Sequence, residues 1–255
     1  FIGIGFNICM HNLQWNNVTI KYVIAGLVNG GSIVTTYWFF MPLYAAYLAI
    51  PLFSAVEKEK RKSVYVYISV VGFLLNVLIP FAAKFTDWVP YNPGFRLFVN
   101  MSYLFYVVVG WLLHTQEIKR KDRIVIYILA ILGLFTNMIG TYFLSMRDGT
   151  VNKTFNGYND VPCILYAIGV FVLIKQIAPK IMDVKWIRAI VVYLNKYTFG
   201  VYLLHWSVLK AVIRLTRVNE VSLIWRLLSP IGIVAVCVAI IWVIRKIPVL
   251  KHVVP

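Results

Sequence analysis

Asn195-Lys-Tyr-Thr-Phe-Gly-Val-Tyr-Leu-Leu-His-Trp206 opens a strongly apolar segment and carries, in His205, the only histidine deep inside any such segment. At helical spacing Asn195, Thr198, Tyr202 and His205 fall on one face, with Phe199, Val201, Leu203 and Leu204 on the others. Inside a bilayer a polar stripe of this kind either lines a cavity or packs against partners. An ionisable residue on it is a candidate functional group. The alternative is a histidine that hydrogen-bonds a neighbouring helix and only holds the bundle together.

The bilayer setting follows from the rest of the chain. Of 255 residues, 61% are hydrophobic and 13% charged, and the apolar ones come in long runs rather than alternating with polar ones. Runs of about 20 apolar residues are what a hydrocarbon core of about 30 Å requires. The expected fold is therefore all-α, a multi-pass transmembrane helix bundle forming one membrane domain over residues 1–255. Its many tyrosines, phenylalanines and tryptophans suit interfacial belts and helix packing. Cys9, Cys163 and Cys237 are widely spaced, with no CxxC and no His/Cys pattern, so neither a disulfide framework nor a metal site is indicated.

Outward from the opening stretch, the sequence predicts seven spans. They run from about Ile33 to Val56, Val64 to Ala83, Phe95 to Gln116, Ile124 to Ser145, Val161 to Ile177, Asn195 to Ile213 and Val221 to Ile244. Residues 1–32 read ambiguously, with a polar loop around His11 and a Gly-rich stretch after Lys21 that suits an interfacial or re-entrant segment. Pro42 and Pro51 should kink or loosen the first span. Residues 178–189 read as a basic connector, and the chain opens on Phe1 inside an apolar run, as the continuation of something upstream would.

The net charge of +16 would suggest nucleic acid for a soluble protein, but here basic loops account for it and no nucleic-acid partner is expected. The clusters Lys58–Lys62, Lys119–Arg123, Lys175–Lys196 and Arg245–Lys251 hold sixteen of the 25 lysines and arginines, all on one side of the seven spans. The positive-inside rule puts that side, and the C-terminus, in the cytoplasm. Asp87, Asp148, Asp160 and Glu220 then face outside, where carboxylates can hydrogen-bond a sugar, although most loop acids are merely solvated.

Several helices contribute polar stripes. Tyr37, Trp38, Tyr44 and Tyr47 lie on the first span, Asn76 on the second, Tyr103 and His114 on the third, Asn137 and Thr141 on the fourth, and Thr198, Tyr202 and His205 on the sixth. Together they suggest a shared polar interior, in which Tyr37, Trp38, Tyr44, Asn76, Tyr103, Asn137 and Thr198 would line a substrate cavity. Such an interior suits transport of a hydrophilic substrate, or transfer of a group from an activated donor to a hydroxyl. Transfer needs a general base, for which histidine is the usual choice, and a donor toward the developing oxyanion, a role open to tyrosine. His205 and Tyr202, one turn apart, are the candidate pair. Lys58, Lys60, Arg61, Lys62, Lys119 and Arg120 would attract a polyanionic donor, or serve only as topology determinants.

The run Thr36-Tyr-Trp-Phe-Phe-Met-Pro-Leu-Tyr-Ala-Ala-Tyr-Leu-Ala-Ile-Pro-Leu52, the helix Tyr103 to Gly110, the entry Val161-Pro162, the stretch Tyr197 to His205 and the closing Arg245-Lys-Ile-Pro248 occur in an order that resembles the acyltransferase 3 family. These are membrane O-acyltransferases of bacterial surface glycans. The resemblance implies a bundle of about ten spans in the bacterial cytoplasmic membrane. It would take an acyl group, most simply acetyl, from acyl-coenzyme A, with no tightly bound cofactor. The group would pass to a hydroxyl of a surface polysaccharide or lipid-linked sugar. It also implies an N-terminal helix with a basic residue and the main catalytic histidine, so the chain is expected to lack about three N-terminal spans and to retain His205 in an assisting role. Many members have a histidine where this chain has Thr36. The competing reading is a transporter or flippase of a lipid-linked sugar.

Overall fold

The structure, a computed structural model, describes residues 2–9, 14–28, 34–86, 88–89, 91–100 and 103–247. His11, Ile33, Asp87, Pro248 and Lys251, all named above, lie outside the described residues. All regular structure among the described residues is helical. The chain divides into two compact units, residues 1–41 with 181–255, and residues 42–180.

Among the described residues, ten α-helices follow in order: α1 (Ile2–Cys9), α2 (Ile20–Val28), α3 (Phe40–Ser54), α4 (Lys58–Ala82), α5 (Tyr103–Thr115), α6 (Arg120–Asp148), α7 (Val161–Met182), α8 (Lys185–Asn195), α9 (Thr198–Thr216) and α10 (Leu223–Lys246). Five stretches are long and apolar enough to cross a membrane: Thr36–Ser54, which runs into α3 through a 3-10 turn, and helices α4, α6, α7 and α10. The expected third span is the shorter apolar helix α5. The expected sixth is α9, 19 residues long, whose hydropathy is lowered by His205, Lys210 and Arg214.

Four sequence expectations are corrected here. Residues 178–189 are not a connector, because α7 continues to Met182 and α8 starts at Lys185. Asn195 ends α8 and is separated by a turn from α9, so it does not share the His205 face. Tyr37 sits in the 3-10 turn Thr35–Phe39 rather than on the helix of Tyr44 and Tyr47, which breaks the predicted tyrosine face. Asp160 is not a solvated loop acid but a buried group in an ion pair, described below.

In residues 42–180, Tyr65 and Ile68 of α4 pack on Val108 of α5, and Val77, Phe105 and Ile164 join α4, α5 and α7. The α4 helix widens into a π turn at Leu74–Leu78, where the Ile79 N–H bonds to the Leu74 carbonyl. Pro80 lies just beyond and lacks an N–H, so this turn rearranges the ladder where an α-helical bond is missing. Between α6 and α7 the backbones approach closely. A Cβ on Gly169 would lie 2.2 Å from the Ala130 Cβ, and one on Gly133 would lie 2.7 Å from the Pro162 carbonyl oxygen. In lipid such contacts gain van der Waals packing rather than removal of surface from water, which favours small residues there.

In the other unit, α9 and α10 share one core. Tyr197, Leu204 and Val208 meet Ile233, Cys237 and Ile241, the latter at four-residue spacing along one face of α10. That packing leaves the Tyr202 and His205 side of α9 available for other contacts.

Candidate active site

The entry to α9 is held by backbone carbonyls. Thr198 Oγ1 donates to the Asn195 carbonyl at 2.9 Å, and Arg245 donates to the Lys196 carbonyl at 2.7 Å. The Arg245 guanidinium also lies 4.8 Å from the centre of the Tyr197 ring. One turn further on, two tyrosines cross between α9 and the Thr35–Phe39 turn. Tyr202 donates its hydroxyl to the Thr36 carbonyl, and Tyr37 donates to the Leu203 carbonyl at 3.1 Å. Phe40 packs edge-on against the Tyr37, Tyr202 and Phe199 rings, with centroids 5.7, 5.8 and 6.3 Å away.

His205 follows on the same face, its ring centre 5.9 Å from that of Tyr202. Its Nδ1 is 2.7 Å from the Tyr202 carbonyl and 3.2 Å from that of Val201. A carbonyl oxygen can only accept, so Nδ1 carries the proton and Nε2 is the basic nitrogen of the neutral ring. This backbone contact fixes both tautomer and ring direction without a carboxylate. On the residue whose carbonyl Tyr202 engages, the buried Thr36 Oγ1 has no hydrogen-bond partner. A buried hydroxyl left unpaired costs about 1–3 kcal/mol, and such groups mark places where a ligand or water completes the set.

Of the residues singled out from sequence, the structure brings Tyr37, Tyr202 and His205 together. Thr198 is exposed with its hydroxyl on its own helix entry, and Trp38 packs edge-on against Phe39 at 6.0 Å. Tyr44, Asn76, Tyr103 and Asn137 belong to the other unit. There the Asn76 amide donates to the Leu97 carbonyl and accepts from the Leu97 N–H, both at 2.9 Å. Asn137 donates to the Phe155 carbonyl at 2.6 Å. Tyr44 is exposed, and the Tyr103 ring lies 6.4 Å from those of Tyr106 and Tyr158.

The predicted donor-binding cations divide into two kinds. Arg61 donates to the Val56 and Ser54 carbonyls at 2.8 and 2.6 Å, closing the end of α3, and Lys60 pairs with Glu57 at 2.7 Å. Lys58, Lys62, Lys119 and Arg120 are exposed. Sequence reading counted Lys175 only within a basic cluster; it donates to the carbonyls of Leu113, His114 and Gln116 at 2.7–2.9 Å and closes the end of α5. Its signal was a lone cation at the basic end of an apolar span. Beside it is a cavity of about 290 Å³ lined by Glu117, Ile118, Arg123, Val172, Lys175 and Gln176. With its amide oxygen turned to the guanidinium, Gln176 accepts from Arg123 Nε at 2.8 Å.

The family model described as an acyltransferase domain matches residues 1–245, across both units. The chain belongs to the acyltransferase 3 family. It is a membrane acyltransferase, and its five membrane-length helices agree with that assignment. No curated protein and no solved structure matches the chain.

Proposed function

We propose that this acyltransferase moves an acyl group, most simply acetyl, from acyl-coenzyme A to a hydroxyl of a cell-surface polysaccharide or lipid-linked sugar. It would do so in the bacterial cytoplasmic membrane, with the C-terminus in the cytoplasm. The observation that carries the proposal is the contact of His205 Nδ1 with the Tyr202 carbonyl. A neutral imidazole held through Nδ1–H presents Nε2 as a base, which hydroxyl activation requires and simple packing does not. In the reaction, Nε2 takes the proton of the acceptor hydroxyl as its oxygen attacks the thioester carbonyl carbon, a larger part than the assisting role the family resemblance implied. The C–S bond then breaks, and the imidazolium returns the proton to the leaving thiolate. Tyr202 and Tyr37 act as positioning residues in this scheme, because both hydroxyls are engaged on backbone carbonyls. The Thr36 hydroxyl, which has no partner of its own, would meet the acceptor or the developing oxyanion.

Donor recruitment falls to the exposed cations Lys58, Lys62, Lys119 and Arg120, together with Arg123 at the cavity of the basic end. The test is acyl transfer by the reconstituted protein, produced from its complete gene, with labelled acetyl-coenzyme A and a cell-envelope acceptor. Ester formation that disappears in His205→Ala supports the proposal. Movement of a lipid-linked sugar across the vesicle without any ester formed would replace it with the transporter reading.

A further inference from the structure

We propose that α8 is an interfacial anchor that lies flat in the leaflet at the basic end of the bundle and recognises acidic phospholipid headgroups. The inference stands apart from the transfer chemistry. At 100° per residue, Trp186, Ile187, Ile190, Val191, Tyr193 and Leu194 fill one continuous arc of the helix. Lys185, Arg188 and Asn195 occupy the opposite arc, completed by Ala189 and Val192. No residue of α8 is buried, and Trp186 and Ile190 are 66% and 49% exposed. A helix of this character lies in the interface plane with its apolar face toward the acyl chains.

Three further observations select a membrane surface as the occupant. The helix has 11 residues, about 16 Å long, too short to cross a hydrocarbon core of about 30 Å. It joins α7, which ends at Met182, to α9, which starts at Thr198, so it connects two apolar helices at one end of each. That end is held at its exit, where Arg245 of α10 donates to the Lys196 carbonyl and Tyr197 donates to the Tyr193 hydroxyl at 3.2 Å. Finally, Lys185, Arg188 and Lys196 flank the apolar arc with no acidic residue between Lys185 and Lys196. Acidic headgroups complement that pattern, since each basic residue near an anionic surface favours binding.

The experiment places nitroxide labels at position 190 (Ile190→Cys) or 188 (Arg188→Cys) in protein whose native cysteines are replaced. The protein is reconstituted in phosphatidylcholine vesicles with or without phosphatidylglycerol. Oxygen collisions should exceed those of a water-soluble nickel chelate at 190 and fall below them at 188. The contrast should grow with phosphatidylglycerol, and that growth should vanish in Lys185→Glu with Lys196→Glu. Quenching by lipids brominated near the headgroup, compared between the native protein and Trp186→Phe, reads the same depth without cysteine changes. Equal chelate access at both positions overturns the proposal. So does shielding of position 190 from both reagents, which means a covering protein segment, or spin–spin broadening there, which means a second copy. A depth indifferent to phosphatidylglycerol overturns the headgroup recognition.

Discussion

Residues 42–180 and the α9 region both place polar side chains among apolar helices, yet they use them differently. In the first, the amides and the acid singled out are tied to a loop, and Thr141 is left there with a buried hydroxyl that has no partner. Asn76 grips Leu97, and Asn137 grips Phe155. Lys84 reaches both Asp160, at 2.5 Å, and the Thr154 carbonyl, while Asp160 accepts from the Gly157 N–H. Near His205 the tyrosines are also tied to backbone, but the imidazole retains a basic nitrogen and Thr36 an unpaired hydroxyl. A polar stripe in a membrane helix is therefore not evidence of a site until its hydrogen-bonding capacity has been accounted for.

The sharpest way to break this contrast is at His205. Replacing a general base lowers turnover by about 10²–10⁴-fold, so His205→Ala should abolish measurable acyl transfer while the purified protein still elutes and melts as the parent does. His205→Asn tests the reason. Its amide N–H can still reach the Tyr202 carbonyl, but it offers no base. Transfer restored by asparagine would mean that the imidazole only engages the carbonyls of its own helix.

Effects on stability should dominate in the other unit. Breaking a fully buried ion pair costs about 3–5 kcal/mol, but the Lys84 side chain is 38% exposed, so Asp160→Asn should cost roughly 2 kcal/mol once solvent screening is allowed for. The readout is loss of thermal stability in detergent together with faster proteolysis of the loop 149–160. An unchanged melting temperature would show that the pair is ornamental. Asn76→Ala removes both bonds to Leu97 and should cost roughly 1–2 kcal/mol, with acyl transfer per folded molecule preserved. A selective loss of transfer at unchanged stability would instead return Asn76 to the substrate cavity.

Much of this was legible in the sequence. Apolar runs located every long helix, because a bilayer imposes a minimum length that soluble folding does not, although α4 starts at Lys58 rather than Val64 and α7 runs on to Met182 rather than Ile177. His205 stood out because a histidine in such a run is rare enough to need a reason. The role of Asn76 was not legible, since its partner Leu97 is a backbone group that no side-chain pattern reveals. Nor was α8, because its amphipathic residues are masked in a window average by the cations between them. Asp160 misled for a related reason. Its counter-ion Lys84 lies 76 positions away, and only the packing of α4 against the loop before α7 makes them neighbours.

The smallest expected effects concern the cations, among which the same contrast recurs. Arg61, Lys175 and Arg245 close the ends of α3, α5 and α8 by donating to carbonyls that helix termini leave unpaired. Lys58, Lys62, Lys119 and Arg120 stand in solvent. Neutralising the exposed set, as in Lys58→Gln with Lys62→Gln, should raise the KM for acyl-coenzyme A by roughly two- to five-fold at low salt with kcat unchanged, because each exposed charge contributes under about 1 kcal/mol. At high salt the difference should disappear, since the Debye length falls to about 3 Å at 1 M. Arg61→Gln should do the reverse, lowering stability at every salt concentration and changing KM little. If the exposed pair lowered stability and Arg61 set the KM, helix closure and donor recruitment would have been assigned to the wrong cations.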